Sequence, residues 1–307
     1  MKKKGILGLI LIIFPLIFTG CQKEPEEPAV FTNTIKNAQP ENAGDDIKPV
    51  NKFSYGIHSK DLFDADNISD AESEYKNIQF YSTETDADGK FPTAFVLKCY
   101  IENKIPVVSV NYTSDVSAMI KFAKEASKIR TPVYYDIFPC FGNENSEKYK
   151  ENFRIFQGLL KKAAPSSSIV WSFDTLNDNT FSQYFPGTGY TDYIGMICLF
   201  DNPYDCIEKL SSFSNSYDVY SNVLPIIITR FGVSHYSDYD HTYKIEGAEK
   251  FIEYFYNDLC SSLEDIKAVI YADENMLNTQ NTFITPCDYT ISSLTELKEI
   301  FKKVTDN

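Results

Sequence analysis

Eight short runs rich in β-branched or aromatic residues recur along this chain, and stretches of helical period lie between most of them. The runs are Phe53-Ile57, Ile78-Tyr81, Val107-Val110, Val133-Phe138, Ile169-Ser172, Tyr193-Cys198, Ile226-Arg230 and Ala268-Tyr271. Between them, Tyr149, Phe153, Phe156, Leu160 and Ala163 form one apolar stripe at helical spacing. Ile245, Ala248, Phe251, Ile252, Phe255 and Leu259 form another. Asp115, Ser146 and Ser293 are candidate helix caps, and Ser293 has Glu296 three residues on, as a capping box requires. Pro106, Pro132 and Pro225 stand at strand starts, where a missing N–H costs little. Strand–helix alternation repeated eight times predicts an α/β chain folded as a (β/α)8 TIM barrel. The connection between the fifth and sixth runs is loop-rich, so its helix is expected to be short or absent. An open doubly wound sheet is the rival, but it needs a glycine-rich turn after its first strand. Gly56-Ile57-His58-Ser59 supplies none.

The barrel is expected over 52–307, about 255 residues against the ~250 usual for one such domain. What precedes it has a different character. Lys2, Lys3 and Lys4 are followed by an apolar run from Ile6 to Phe18, then Thr19-Gly20 and Cys21. This is the layout of a bacterial signal peptide over 1–20, and the run falls short of the ~20 apolar residues a membrane span needs. A cysteine directly after the small residues matches a lipobox, so Cys21 is the expected lipidation site. Residues 21–51 are acidic and proline-bearing, with few large apolar side chains, and read as a flexible linker. The expected setting is the extracytoplasmic face of a bacterial membrane, with the barrel tethered through the lipid and monomeric.

Charge narrows the partners. Cleavage before Cys21 removes three of the 29 basic residues and none of the 43 acids, leaving 26 − 43 = −17. Such a surface repels phosphate backbones, which excludes nucleic acid as a partner. Beyond Cys21 lie Cys99, Cys140, Cys198, Cys206, Cys260 and Cys287, none in CxxC spacing. Several sit in apolar segments, so mostly free, buried thiols are expected. His235, Asp238, Asp240 and His241 fit no standard zinc spacing, and neither metal nor cofactor is expected.

The site of a (β/α)8 barrel lies at the C-terminal ends of its strands. Here those exits carry PVYYDIFPCFG, then VWSFD, YFPGTGYTDYIG and PIIITRFGVS. In this order they resemble the family 26 glycoside hydrolases, the β-mannanase family of retaining barrel enzymes, across about residues 53–303. The resemblance implies an acid/base glutamate at the fourth strand, in a His-Glu-x-Asn motif, and a nucleophile just before Phe-Gly on the seventh. Retaining hydrolysis needs both carboxylates, ~5–5.5 Å apart. The four motif positions hold Pro139, Cys140, Phe141 and Gly142, so a cysteine stands at the glutamate position, and the nucleophile position is Arg230. A guanidinium offers no nucleophilic lone pair. No histidine is placed by sequence to activate Cys140, and the chain has three in all.

Glu144 is the fallback proton donor, four residues beyond Cys140. Asp238, Asp240, Asp273 and Glu274 lie past strand ends and read as solvated loop charges. Arg230 is expected either to pair with a carboxylate such as Asp136 or to present its fork to an anionic sugar. Trp171, Tyr184 and Tyr135 are the candidate stacking rings for a carbohydrate ligand. The expectation is therefore a carbohydrate-binding or scaffold barrel without retaining hydrolysis. The alternative is an active glycosidase on a β-linked polysaccharide such as mannan, led by Glu144.

Overall fold

A computed structural model describes residues 53–64, 66–75, 77–139, 145–176, 181–204, 206–278 and 285–306. Cys21, Cys140 and Glu144 lie outside them. Eight parallel strands close into a barrel: β1 (Ser54–His58), β2 (Ile78–Asp86), β3 (Ile105–Asn111), β4 (Tyr134–Ile137), β5 (Ser168–Asp174), β6 (Tyr193–Phe200), β7 (Ile226–Val233) and β8 (Ile266–Ala272). Each pairs with its sequence neighbours and β8 closes on β1. All eight runs read from the sequence are strands, with ends shifted by at most five residues. Pro106 sits inside β3 rather than ahead of it.

The helices are α1 (Asp66–Glu74), α2 (Thr93–Ile101), α3 (Val116–Ala126), α4 (Ser146–Ala163), α5 (Cys206–Tyr220), α6 (Ile245–Tyr254) and α7 (Thr295–Asp306). The α4 stripe buries Tyr149, Phe153, Phe156 and Leu160 as its spacing predicts. α6 runs on into a π-helical turn at Phe255–Cys260. Between β5 and β6 the described residues hold only a 3-10 turn, Phe181–Tyr184. Asp115 caps α3 by accepting from the Ser117 N–H. The other two caps shift. Asn145, not Ser146, accepts from the N–H groups of Glu147 and Lys148, and α7 starts two residues beyond Ser293, whose hydroxyl lies 3.0 Å from that of Thr290. Asn's longer side chain reaches two amides at once, which Ser146 inside the helix cannot.

Strand alternation divides the core. Outward residues such as Tyr135, Trp171, Phe173 and Phe231 pack under the helices in one large cluster. Inward residues from the N-terminal halves of the strands, Phe80, Val107, Tyr134, Val170, Ile227, Ala268 and Ile270, form a second cluster that fills the lower barrel. Two glycines let this filling close: a Cβ on Gly56 would lie 2.8 Å from Ile270 and Phe80, and one on Gly195 would lie 1.8 Å from Ser172 Oγ. Cys99, Cys198, Cys260 and Cys287 are buried and free, and Cys206 is buried with its thiol donating to the Asn202 carbonyl at 3.1 Å. Burial pushes the thiols of Cys99, Cys198, Cys260 and Cys287 upward, which makes them inert. Among the described residues no helix is long and apolar enough to cross a membrane.

Candidate functional site at the barrel mouth

Toward the C-terminal ends of the strands the inward positions turn polar. They carry His58 on β1, Ser82 and Glu84 on β2, Ser109 on β3, Asp136 on β4, Ser172 on β5, and Thr229 with Arg230 on β7. Glu274 stands two residues past β8. Arg230 owes its direction to a bulge. Ile228 and Phe231 both pack into the outer cluster although they are three residues apart, and the pairing of β7 with both neighbours slips between them. The two intervening residues, Thr229 and Arg230, are thereby turned inward, a common use of bulges beside functional sites.

The Arg230 guanidinium donates to Glu84 Oε2 at 3.0 Å, and Lys60 Nζ lies 2.9 Å from Glu84 Oε1. His58 is wholly buried, with Nδ1 2.8 Å from Ser82 Oγ and Nε2 3.2 Å from Glu274 Oε1. Burial, then the positive charge of Arg230, holds the His58 pKa below its usual value, so the ring is neutral at pH 7. Burial works the other way on Glu274, but His58, Arg230 and Lys60 outweigh it and bring the carboxyl to about 2. One level down, Ser109 Oγ donates to Asp136 Oδ2 at 3.1 Å. Burial lifts Asp136 to about 6 against the pull of Ser172, Arg230 and Ser109. The mouth therefore sets two carboxylates against two cations, over one buried acid.

No family model matches the chain, and no curated protein matches it by sequence. Solved structures do. A psychrophilic glycoside hydrolase family 10 endo-β-1,4-xylanase superposes with a TM-score of 0.53 at 13% identity, over 74% of this chain and 88% of the other. GH26A from a Muricauda species gives 0.54 at 10% identity, over 81% and 89%. A GH113 β-1,4-mannanase gives 0.55 at 11%, over 85% and 100%. This chain has the (β/α)8 barrel fold that these structures share. At these identities the likeness is one of fold, and the family 26 resemblance of the sequence agrees with it.

Within this barrel the expected site residues separate. Arg230 reaches the mouth, but among the described residues it pairs with Glu84 and not with Asp136, because Glu84 lies higher on its strand while Asp136 is sealed below by Ser109. Trp171 and Tyr135 are fully buried on the outward faces of their strands. Trp171 stands 5.0 Å from Phe173 and Phe185, and Tyr135 meets Phe122 of α3 edge-on. Strand parity points both away from the mouth, so neither offers a face to a sugar there. Tyr184 is half-buried against Tyr149 of α4. Asp238 and Asp240 are exposed loop charges as expected, whereas Asp273 and Glu274 are not: Asp273 Oδ1 accepts from the N–H groups of Ile291 and Ser292, and Glu274 lies in the mouth. His235 is buried beside Asp288, apart from the exposed His241. The sequence reading passed over His58, Glu84 and Lys60. Their signal was parity: His58 and Glu84 fall on the same inward alternation as Gly56 and Phe80.

Proposed function

We propose that this protein is a lipid-tethered, extracytoplasmic barrel that binds carbohydrate and does not hydrolyse it. The observation that carries this reading is the Arg230–Glu84 pair. Where the family resemblance implies the nucleophile, a permanent cation stands with its charge already matched at 3.0 Å. The described acids do not make good the loss. Retaining chemistry needs one protonated and one ionised carboxyl facing the same bond. Glu274 and Glu84 face the mouth but are held by cations, and Asp136, raised to about 6, is wholly buried. The fold likeness to xylanase and mannanase barrels supports a carbohydrate as the ligand class, and the lipobox at Cys21 supports attachment to a membrane surface.

The test is a glycan array run beside a hydrolysis screen on the full chain, with β-linked mannans and xylans included. Binding without release of sugar is the expected result. Release that disappears in Glu144→Gln would overturn the non-catalytic reading and put that loop carboxylate in the acid/base role. Absence of both binding and release would overturn carbohydrate as the ligand.

A further inference from the structure

The mouth brings three ligand-type side chains together. One ring nitrogen of His58 and one carboxylate oxygen each from Glu84 and Glu274 lie within 4.8 Å of one another. Ligands ~2.1 Å from a four-coordinate ion stand about 3.4 Å apart, so the flexible glutamates need draw in by about an ångström. Proximity alone decides nothing, since mixed-charge clusters are common. The second observation is the state of His58. It is wholly buried, and its Nε2 makes no hydrogen bond, although Glu274 Oε1 lies 3.2 Å away. That Glu274 oxygen is likewise buried without a hydrogen-bond partner. The two atoms are close yet poorly aligned, an arrangement that leaves both short of partners in a site of low dielectric. On the other side of the ring, Nδ1 sits 2.8 Å from Ser82 Oγ. An Nδ1–H donated to Ser82 leaves the Nε2 lone pair facing the carboxylates, and metal-binding histidines are oriented through their second nitrogen in this way.

We infer that His58 Nε2, Glu84 and Glu274 form a binding site for a divalent transition-metal ion of the Mn2+ or Zn2+ type. One imidazole with two carboxylates suits such ions, while Ca2+ and Mg2+ prefer oxygen alone. This goes against the sequence expectation of no metal and stands whether or not the mouth takes a sugar. Arg230 and Lys60 are the opposing charges, and they differ. Arg230 is 14% exposed and fixed on Glu84, whereas Lys60 is 59% exposed and free to swing into solvent when an ion arrives. Lys60 thus occupies the charge balance that the ion would take over.

The experiment titrates Mn2+ into the detergent-solubilised full chain after chelator treatment, following the loss of the free-ion electron paramagnetic resonance signal. One saturable site per chain is expected, with nitrogen coupling from a histidine in the pulsed spectrum. Glu274→Gln and His58→Ala should each weaken binding at least tenfold, and Ser82→Ala less. Lys60→Gln should tighten it severalfold, a direction that general damage to the fold would not give. The inference is overturned by the lack of a saturable site in the wild type. It is equally overturned by unchanged affinity in folded Glu274→Gln, or by a bound-ion spectrum without nitrogen coupling. The two spectroscopic readings on the wild type need no variant to fold.

Discussion

At the scale of the residue, Arg230 governs the acids around it. Its ion pair with Glu84 is mostly hidden from solvent, and removing one partner of such a pair strands the other. Arg230→Ala should cost about 2–4 kcal/mol by urea denaturation. Arg230→Ala with Glu84→Ala should cost less than the sum of the two single changes, since no charge is then orphaned. Asp136 makes a prediction of opposite character. Its folded pKa, about 6, lies above the ordinary aspartate value of 3.8, so between these limits the folded state holds more protons than the unfolded one. Stability contributed by this group therefore falls as pH rises from about 4 to 6, by roughly 3 kcal/mol in all. Asp136→Asn should flatten that slope in melts taken across the window, and a slope unchanged by the substitution would show that Asp136 is not its source. Arg230 was legible in the sequence because it breaks an expected pattern. Glu84 was not, because 146 residues separate it from its partner and only barrel closure brings them together.

At the scale of the element, the strands were legible because two physical signals agree: β-branched runs, and helical stripes between them. Their ends were less so. The β7 bulge has no sequence mark, since Thr229 and Arg230 read as ordinary members of an alternating run, and only packing on both sides shows that the alternation slips. Helix starts were missed by a residue or two because an asparagine and a serine stand side by side where α4 begins, and by residue type either could cap it. Asn145→Ala should lower stability by about 1 kcal/mol while Ser146→Ala has little effect, as thermal melts would distinguish. The sixth strand offers a sharper test. A methyl at Gly195 would collide with Ser172 of β5, whose Cα is only 3.0 Å from the added atom. Gly195→Ala is expected to cost about 1–3 kcal/mol, and Ser172→Gly in the same chain should recover part of it. Full stability in Gly195→Ala would show that the strands part more readily than the contact implies.

At the scale of the whole molecule, the sequence separates a barrel from the region before it by composition alone, and the fold of the described residues follows the alternation closely. The site was harder to read because it is assembled from the ends of six strands and the segments just beyond them, each contributing one or two polar residues. The anchoring expectation has its own test: Cys21→Ser should move the protein from the membrane fraction to the soluble one. The lower barrel has a further consequence. Phe80, Tyr134 and Tyr193 are locked ring against ring, with centroids 5.6 and 5.3 Å apart, and stopper the interior below the polar groups. The barrel is thus a cup and not a tunnel, so nothing can be threaded through it. A long polymer can meet it only by lying across the rim or by dipping one chain end. Oligosaccharides of increasing length separate the two: affinity that climbs with each added unit marks the first, and affinity that levels off after one or two marks the second.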